Sequence, residues 1–202
     1  KDIQNVIKAG YRAKDLVKRI LTFSRQAEQE LIPLKIQDVV KETLDLLRSI
    51  IPSTIQINQD INNSCGPVFA DPTQIHQAIM NLCINAKHAM EKNGGVLTIG
   101  VDTVDVLQST IDKDGLDIIP GAYVKLAVSD TGHGMSTSVM DRMFDPFYTT
   151  KGLGEGTGLG LAVIHGIMKS YNGFLKVSSE LGKGSIFSIY LRQIDSEIQP
   201  EE

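Results

Sequence analysis

The sequence predicts a mixed α/β domain, in which a largely antiparallel sheet carries helices on one face, entered through one long α-helix. Three observations predict it. Residues 1–29 place Ile3, Val6, Gly10, Ala13, Val17 and Ile20 at alternating steps of three and four, the spacing of an amphipathic helix. Residues 70–90 carry a second helical pattern with a start signal of its own. Short β-rich runs at 54–61, 96–106, 122–130 and 174–191 are separated by Gly, Pro and Asn.

Each element has its own reason. The 1–29 stripe must bury itself, either on its own domain or in a bundle, and a helix leading into a separate domain favours the bundle. Pro33 breaks it. "LKI" (34–36) reads as a short strand, and "DVVKETLDLLRSI" (38–50) as an amphipathic helix with Asp38 at its N-cap and Pro52 past its end. "TIQINQDI" (54–61) alternates like a strand, and "NNSCGP" (62–67) is a loop. In "ADPTQIHQAIMNLCINAKHAM" (70–90), Asp71 is the N-cap, Pro72 the first helical residue and Gln74 the third, the positions of a capping box. Ile75, Ile79, Leu82 and Ala86 form its apolar face, and "NGG" (93–95) stops it. Strands follow at 96–106 and 122–130 around a polar excursion. "GLGLAVIHGIMKSYNG" (158–173) is a helix with Gly173 at C′, and "FLKVSSE" and "SIFSIYL" form a hairpin around "LGKG". The tail from 195 to 202 reads as disordered.

Composition narrows the function. The 202 residues, 42% hydrophobic, suit one ordinary domain with an attached element. A net charge of -4 without a basic block argues against a nucleic-acid partner. Cys65 and Cys83 have no metal-ligand spacing, so a reducing compartment is expected. No apolar run approaches the roughly 20 residues that span a bilayer. Starting at Lys1 without Met, the chain reads as a fragment of a longer protein that is free to carry membrane or sensor segments upstream.

Four clusters lie where a core would not want them. Asn81, Asn85 and His88, at spacings of four and three, share one helical face. That face is either simply solvated or a metal and phosphate edge, since an amide oxygen suits Mg²⁺. "DTGHGM" (130–135) places a carboxylate at a strand end before two glycines. It is either a turn or an acceptor for the exocyclic amino group of adenine, which would repel a carbonyl at the same place. His133 reads as a bystander. "FDPFYTTKGLGEGTGLGLA" (144–162) holds five glycines between Gly152 and Gly160 ahead of a helix, whose unpaired N–H groups attract phosphate. Lys151 adds a cation, Gly152 to Gly156 loosen a flap, and Phe144 and Phe147 anchor its near end by packing. The stretch has neither the Gly-Lys-Ser/Thr ending of a P-loop nor the preceding strand of a dinucleotide fingerprint. "GKGS" (182–185) reads alone as a hairpin turn.

In this order the clusters resemble the ATP-binding catalytic domain of bacterial sensor histidine kinases, in the wider group shared with gyrase-type topoisomerases, heat-shock chaperones and mismatch-repair ATPases. "NLCINAKHAM" looks like the N box, "DTGHGM" the G1 box, "FDPFYTTK" the F box, "GEGTGLGLA" the G2 box and "GKGS" the G3 turn. The resemblance implies a two-layer sandwich of the Bergerat type over 33–194. Residues 1–32, with "ILTFSRQ" near their end, are similar to the second helix of a dimerisation hairpin. It also implies that ATP and Mg²⁺ bind between the N-box helix and a lid. Asn85 would ligate Mg²⁺, Asp130 would read adenine, and His88 would meet phosphate. Lys151 and the backbone of Gly158 and Gly160 would hold the phosphates. Gly132, Gly134, Met135, Thr149, Gly156, Thr157 and Leu159 complete the implied nucleotide set, with Asn81 and Lys151 at catalytic positions.

Hydrolysing members of the group carry a glutamate four residues before the metal-binding asparagine. Here that place is Asn81, and an amide is no general base, so slow hydrolysis and transfer of the γ-phosphate are expected. None of His76, His88, His133 and His165 has the setting of a phosphoacceptor, which places the accepting helix before Lys1. The implied partners are ATP, a response-regulator receiver domain and a second copy of the chain in the full-length protein, in a cytoplasmic domain whose parent can be membrane-anchored. The competing readings are a degenerate nucleotide-holding module, another ATPase of the group and a serine kinase. The serine kinase would lack a dimerisation helix.

Overall fold

The computed structural model describes residues 30–109, 118–152 and 156–194. The helix expected over 1–29, the middle of the expected glycine flap and the tail expected to be disordered therefore fall outside the described residues. The elements run β1 (Ile32–Leu34), α1 (Ile36–Ile50), β2 (Ile55–Ile61), β3 (Val68–Ala70), α2 (Pro72–Ala89), β4 (Gly95–Val106), β5 (Gly121–Asp130), a single turn α3 (Thr137–Met140), α4 (Gly160–Ser170), β6 (Phe174–Glu180) and β7 (Gly184–Arg192). The main sheet has the order β2-β4-β5-β7-β6. β2 pairs with β4 in parallel, and the other pairs are antiparallel. β1 and β3 form a separate antiparallel pair.

Strand alternation decides which face is covered. Leu97, Ile99 and Val101 of β4, Val124, Leu126 and Val128 of β5, and Phe187, Ile189 and Leu191 of β7 join one core with the apolar stripes of α1, α2 and α4. The intervening positions carry a smaller cluster of Val106, Tyr123 and Phe174. Phe174 stacks on Tyr190 at 4.3 Å and meets Tyr123 edge-on at 5.7 Å. The expected sandwich, with a mixed, mostly antiparallel sheet and helices on one face, is what the chain forms.

Local details differ from the sequence reading. The first strand is Ile32–Leu34 rather than 34–36, with Pro33 opposite Phe69 in a two-stranded pair, where a missing N–H is tolerated. It begins one residue before the expected domain boundary at 33. Ile36 is already helical and fully buried. Lys35 takes the N-cap of α1 without a side-chain bond, and Asp38 lies in the first turn, where its charge meets the positive helix end. β3, three residues long, is too short for alternation to mark it.

At α2 the Asp71 carboxylate accepts the Thr73 N–H at 2.8 Å, as the start signal requires. Gln74 does not reach back to close a capping box. The Tyr171 hydroxyl accepts the Asp71 N–H at 3.1 Å and donates to Gln74 Oε1 at 2.8 Å, tying the start of α2 to the end of α4. α4 stops at Ser170 with Tyr171 as C-cap, and Asn172, at φ 50°, takes the left-handed place expected of Gly173. The Asn172 N–H bonds to Lys169 O and the Gly173 N–H to Met168 O, the two bonds of a Schellman motif.

Candidate functional site

α2, the outer ends of β5 and β7, and the segments 133–135, 148–151 and 156–161 line a cleft of about 790 Å³. The apolar face of α2 (Ile75, Ile79, Leu82, Ala86) is buried in the core, which turns Asn81, Asn85 and His88 towards the cleft. Asn81 also reaches α4, with its Nδ2 3.5 Å from Gly160 O.

Among the lining residues, Asp130 is 6% exposed. It accepts the N–H of Gly132 at 2.9 Å, and Ser185 is its partner across the β5–β7 ladder. Burial holds its pKa above the usual carboxylate range, against the Gly132 bond, nearby His133 and the Ser185 backbone. The loop after it is held on two sides. On one side the His133 N–H bonds to Ala89 O at the end of α2, at 3.2 Å. On the other, the Gly182 N–H bonds to His133 O at 2.8 Å, and the Met135 N–H bonds to Ser179 Oγ at 2.8 Å.

Also in the lining of the cleft, three titratable side chains, His88, Glu91 and Lys151, interact with one another. His88 Nδ1 lies 3.8 Å from a Glu91 carboxylate oxygen. Burial, and then the Lys151 ammonium, push the His88 pKa below its ordinary value, with Glu91 opposing. Burial also lowers the Lys151 pKa, and Glu91 opposes that shift too. α4 begins at Gly160, two residues later than the pattern suggested. Its N-cap, Leu159, has no side-chain cap, and Gly158, Leu159, Gly160 and Leu161 all line the cleft. The first N–H groups of α4 are thus presented without a side-chain acceptor.

The aromatic residues divide their work differently from the expectation. Phe144 packs on the core and stacks on His165 at 5.2 Å. Phe147 does not pack: it is 64% exposed, with φ 67°. Its backbone makes the anchor, with the Phe147 N–H bonded to Gly158 O at 3.0 Å. Gly158 answers at φ +65°, so close that a Cβ there would lie 2.6 Å from Phe147 O. Tyr148 lines the cleft beneath the Arg142 guanidinium, 4.4 Å from its ring centre.

Of the residues singled out from the sequence, Asn81, Asn85, His88, Asp130, Gly134, Met135, Thr149, Lys151, Gly156, Thr157, Gly158, Leu159 and Gly160 all line this cleft. Gly132 does not line it; its backbone is pressed against Ala89 and its N–H is spent on Asp130. His133, read as a bystander, does line it, as do Glu91, Tyr148, Ser185 and Phe187, which sequence reasoning missed. The signal for Ser185 is "GKGS", a hairpin turn by itself and the G3 turn in the resemblance, neither of which singles out the serine.

Residues 70–194 match the family described as histidine kinase-, DNA gyrase B- and HSP90-like ATPase, which is more than half of the chain. The chain belongs to this family. Among curated members, the sensor kinase CckA of Brucella abortus is 34% identical over 201 residues, covering 100% of this chain and 21% of its own length. The sensor histidine kinase ZraS of Salmonella typhi is 31% identical over 189 residues, covering 93% of this chain and 37% of itself. The chain therefore spans well under half of these relatives. In fold, it resembles full-length ShkA, solved with AMPPNP, at a TM-score of 0.69 and 24% identity over 91% of this chain and 36% of that one. It also resembles the Acinetobacter baumannii histidine kinase AdeS, at 0.64 and 23% identity over 96% of this chain and 82% of that one.

Proposed function

We propose that the chain is the ATP-binding catalytic part of a sensor histidine kinase, which transfers the ATP γ-phosphate to a histidine outside these residues for relay to a receiver aspartate. One observation carries this reading: a single cleft is lined by a buried acceptor, Asp130, and by His88, Lys151 and an uncapped helix start. The buried carboxylate suits an adenine amino group, and the cationic groups suit a triphosphate.

Among the described residues no group of three or more His, Cys, Asp or Glu side chains is placed to hold a metal. That fits Mg²⁺ bound through the Asn85 amide oxygen, the phosphates and water, because this ion retains waters and needs few protein ligands. When bound, it would neutralise phosphate charge. Lys151 and the α4 N–H groups then orient the chain of phosphates, and Asn81, occupied with Gly160, offers no base to a water. None of the four histidines is placed as the acceptor: His76 bonds to Thr43, His165 stacks on Phe144, and His88 and His133 line the cleft. Pairing with a second copy through residues 1–32 and a receiver-domain partner belong to the same proposal. Among the described residues no helix is long and apolar enough to cross a membrane.

Titrating an ATP analogue into wild type and Asn85→Ala, each with and without Mg²⁺, tests the site. Mg²⁺ should tighten binding about tenfold or more in wild type only. Equal affinity in all four titrations would remove the metal role of Asn85.

The pKa directions set a second test. Phosphate binds protonated His88 better, and the His88 pKa is already lowered by burial and by Lys151, with Lys87 adding to it and Glu91 opposing. Affinity for ATP should therefore fall as pH rises through the titration of His88, which lies below its ordinary value. His88→Lys should remove that alkaline loss. Calorimetric affinities for both proteins across this titration give the answer, and parallel profiles would dismiss the role.

A further inference from the structure

We propose that Ser179 is a positioning residue for purine selection, holding the Asp130 loop and the hairpin turn in one register. This rests on the reading of Asp130 as the adenine acceptor.

Ser179 lies on β6, opposite Ser185 in the β6–β7 ladder. Its hydroxyl makes three contacts. Oγ accepts the Met135 N–H at 2.8 Å, donates to Gly184 O at 3.0 Å and stands 3.0 Å from Ser185 Oγ. A hydroxyl has one proton and two lone pairs. The proton is committed to Gly184, so Ser185 must be the donor in the Ser–Ser contact. All three capacities are then filled, and no water or rotamer change is needed to satisfy the group.

The three partners belong to different parts of the cleft. Met135 ends the "DTGHGM" loop and lines the cleft. Gly184 and Ser185 close the hairpin turn. Ser185 is the residue paired with Asp130 across the β5–β7 ladder. One hydroxyl thus closes a circuit from Asp130 through Ser185 and Ser179 back to the loop that follows Asp130. Ser185 is 5% exposed, so its hydroxyl has no easy replacement partner in solvent. With the hydroxyl removed, the Met135 N–H and Gly184 O lose their shared partner. The loop is then free to shift against the turn, and the carboxylate loses the fixed aim on which discrimination between an amino group and a carbonyl depends.

The probes are a non-hydrolysable ATP analogue and inosine triphosphate, which carries a carbonyl where adenine carries its amino group. Both are titrated with Mg²⁺ into the full chain, and circular dichroism and thermal midpoints establish that each variant is folded. Ser179→Ala should lower affinity for the ATP analogue about tenfold while leaving inosine triphosphate nearly unchanged, so the ratio of the two shrinks about tenfold. Ser179→Thr, which keeps the hydroxyl and suits a strand, should restore the ratio to within about twofold. In an Asp130→Asn background, Ser179→Ala should change the ratio no further, because the serine acts through that carboxylate. An unchanged ratio in Ser179→Ala, or an equal additional loss in the Asp130→Asn background, overturns the role of Ser179. A wild type that binds both nucleotides equally overturns the reading of Asp130 and this role with it.

Discussion

Asp130→Asn is expected to weaken ATP binding about 100-fold or more while leaving the fold intact. Asp130 is 6% exposed, and its carboxylate accepts the Gly132 N–H. An amide has one acceptor oxygen. It can keep the Gly132 bond or face the adenine amino group, and its own NH₂ then meets a donor in either case. Hydrogen bonds to charged groups are worth roughly 1.5–3 kcal/mol, and a buried donor left unpaired costs roughly 1–3 kcal/mol, which together give the two decades. Stability should move little or upward. A carboxyl whose folded pKa lies above its unfolded value contributes stability below the unfolded pKa and loses it as pH rises through the folded one. At neutral pH the Asp130 charge is therefore a burden on the fold. The same sign gives wild type an acid limb: ATP affinity should fall as pH drops through the raised titration of Asp130, and Asp130→Asn should lack that limb. Calorimetry and a thermal melt measure both. Affinity within about threefold of wild type would end the assignment.

Much of this site is written in local chemistry, and that part was readable. The steps of four and three that join Asn81, Asn85 and His88 define a helix face whatever the helix packs on. The Asp71-Pro72 start is a bond between near neighbours, and it forms as read. What sequence could not show is non-local. Ser185 matters because β5 and β7 pair in a register that sets it against Asp130, and no pattern within either strand states that register. Tyr171 replaces half of the expected capping box because α4 ends beside the start of α2, 97 residues on from Gln74. Phe147 looked like a packing residue from its hydrophobicity alone. Its strained backbone serves instead to meet Gly158. Asn172 displaced Gly173 from the left-handed place because asparagine tolerates it, and local propensity did not choose between two such neighbours.

The hairpin turn at "GKGS" gives the sharpest test of how the glycines divide their roles. Gly182 and Gly184 both have positive φ, at +78° and +99°. A side chain at either position pays the left-handed penalty, roughly 1–2 kcal/mol. Their surroundings differ. Around Gly182 a Cβ would meet nothing within 4 Å, whereas at Gly184 it would run into the Asp130 carbonyl oxygen and lie 2.8 Å from the carbon behind it. These are backbone atoms next to the carboxylate, and they cannot step aside without moving Asp130. Gly182→Ala should therefore lower the thermal midpoint by about 2–8 °C and leave ATP affinity alone. Gly184→Ala adds the steric displacement, for a total of about 3–5 kcal/mol and a fall of roughly 6–20 °C, and any protein that remains folded should bind ATP at least about tenfold more weakly. Equal losses in the two variants would mean that backbone strain alone explains both glycines. Unequal losses, with affinity following only Gly184, would mean that the turn is part of the nucleotide site, because the close approach of β7 to the end of β5 is what sets Ser185 against Asp130.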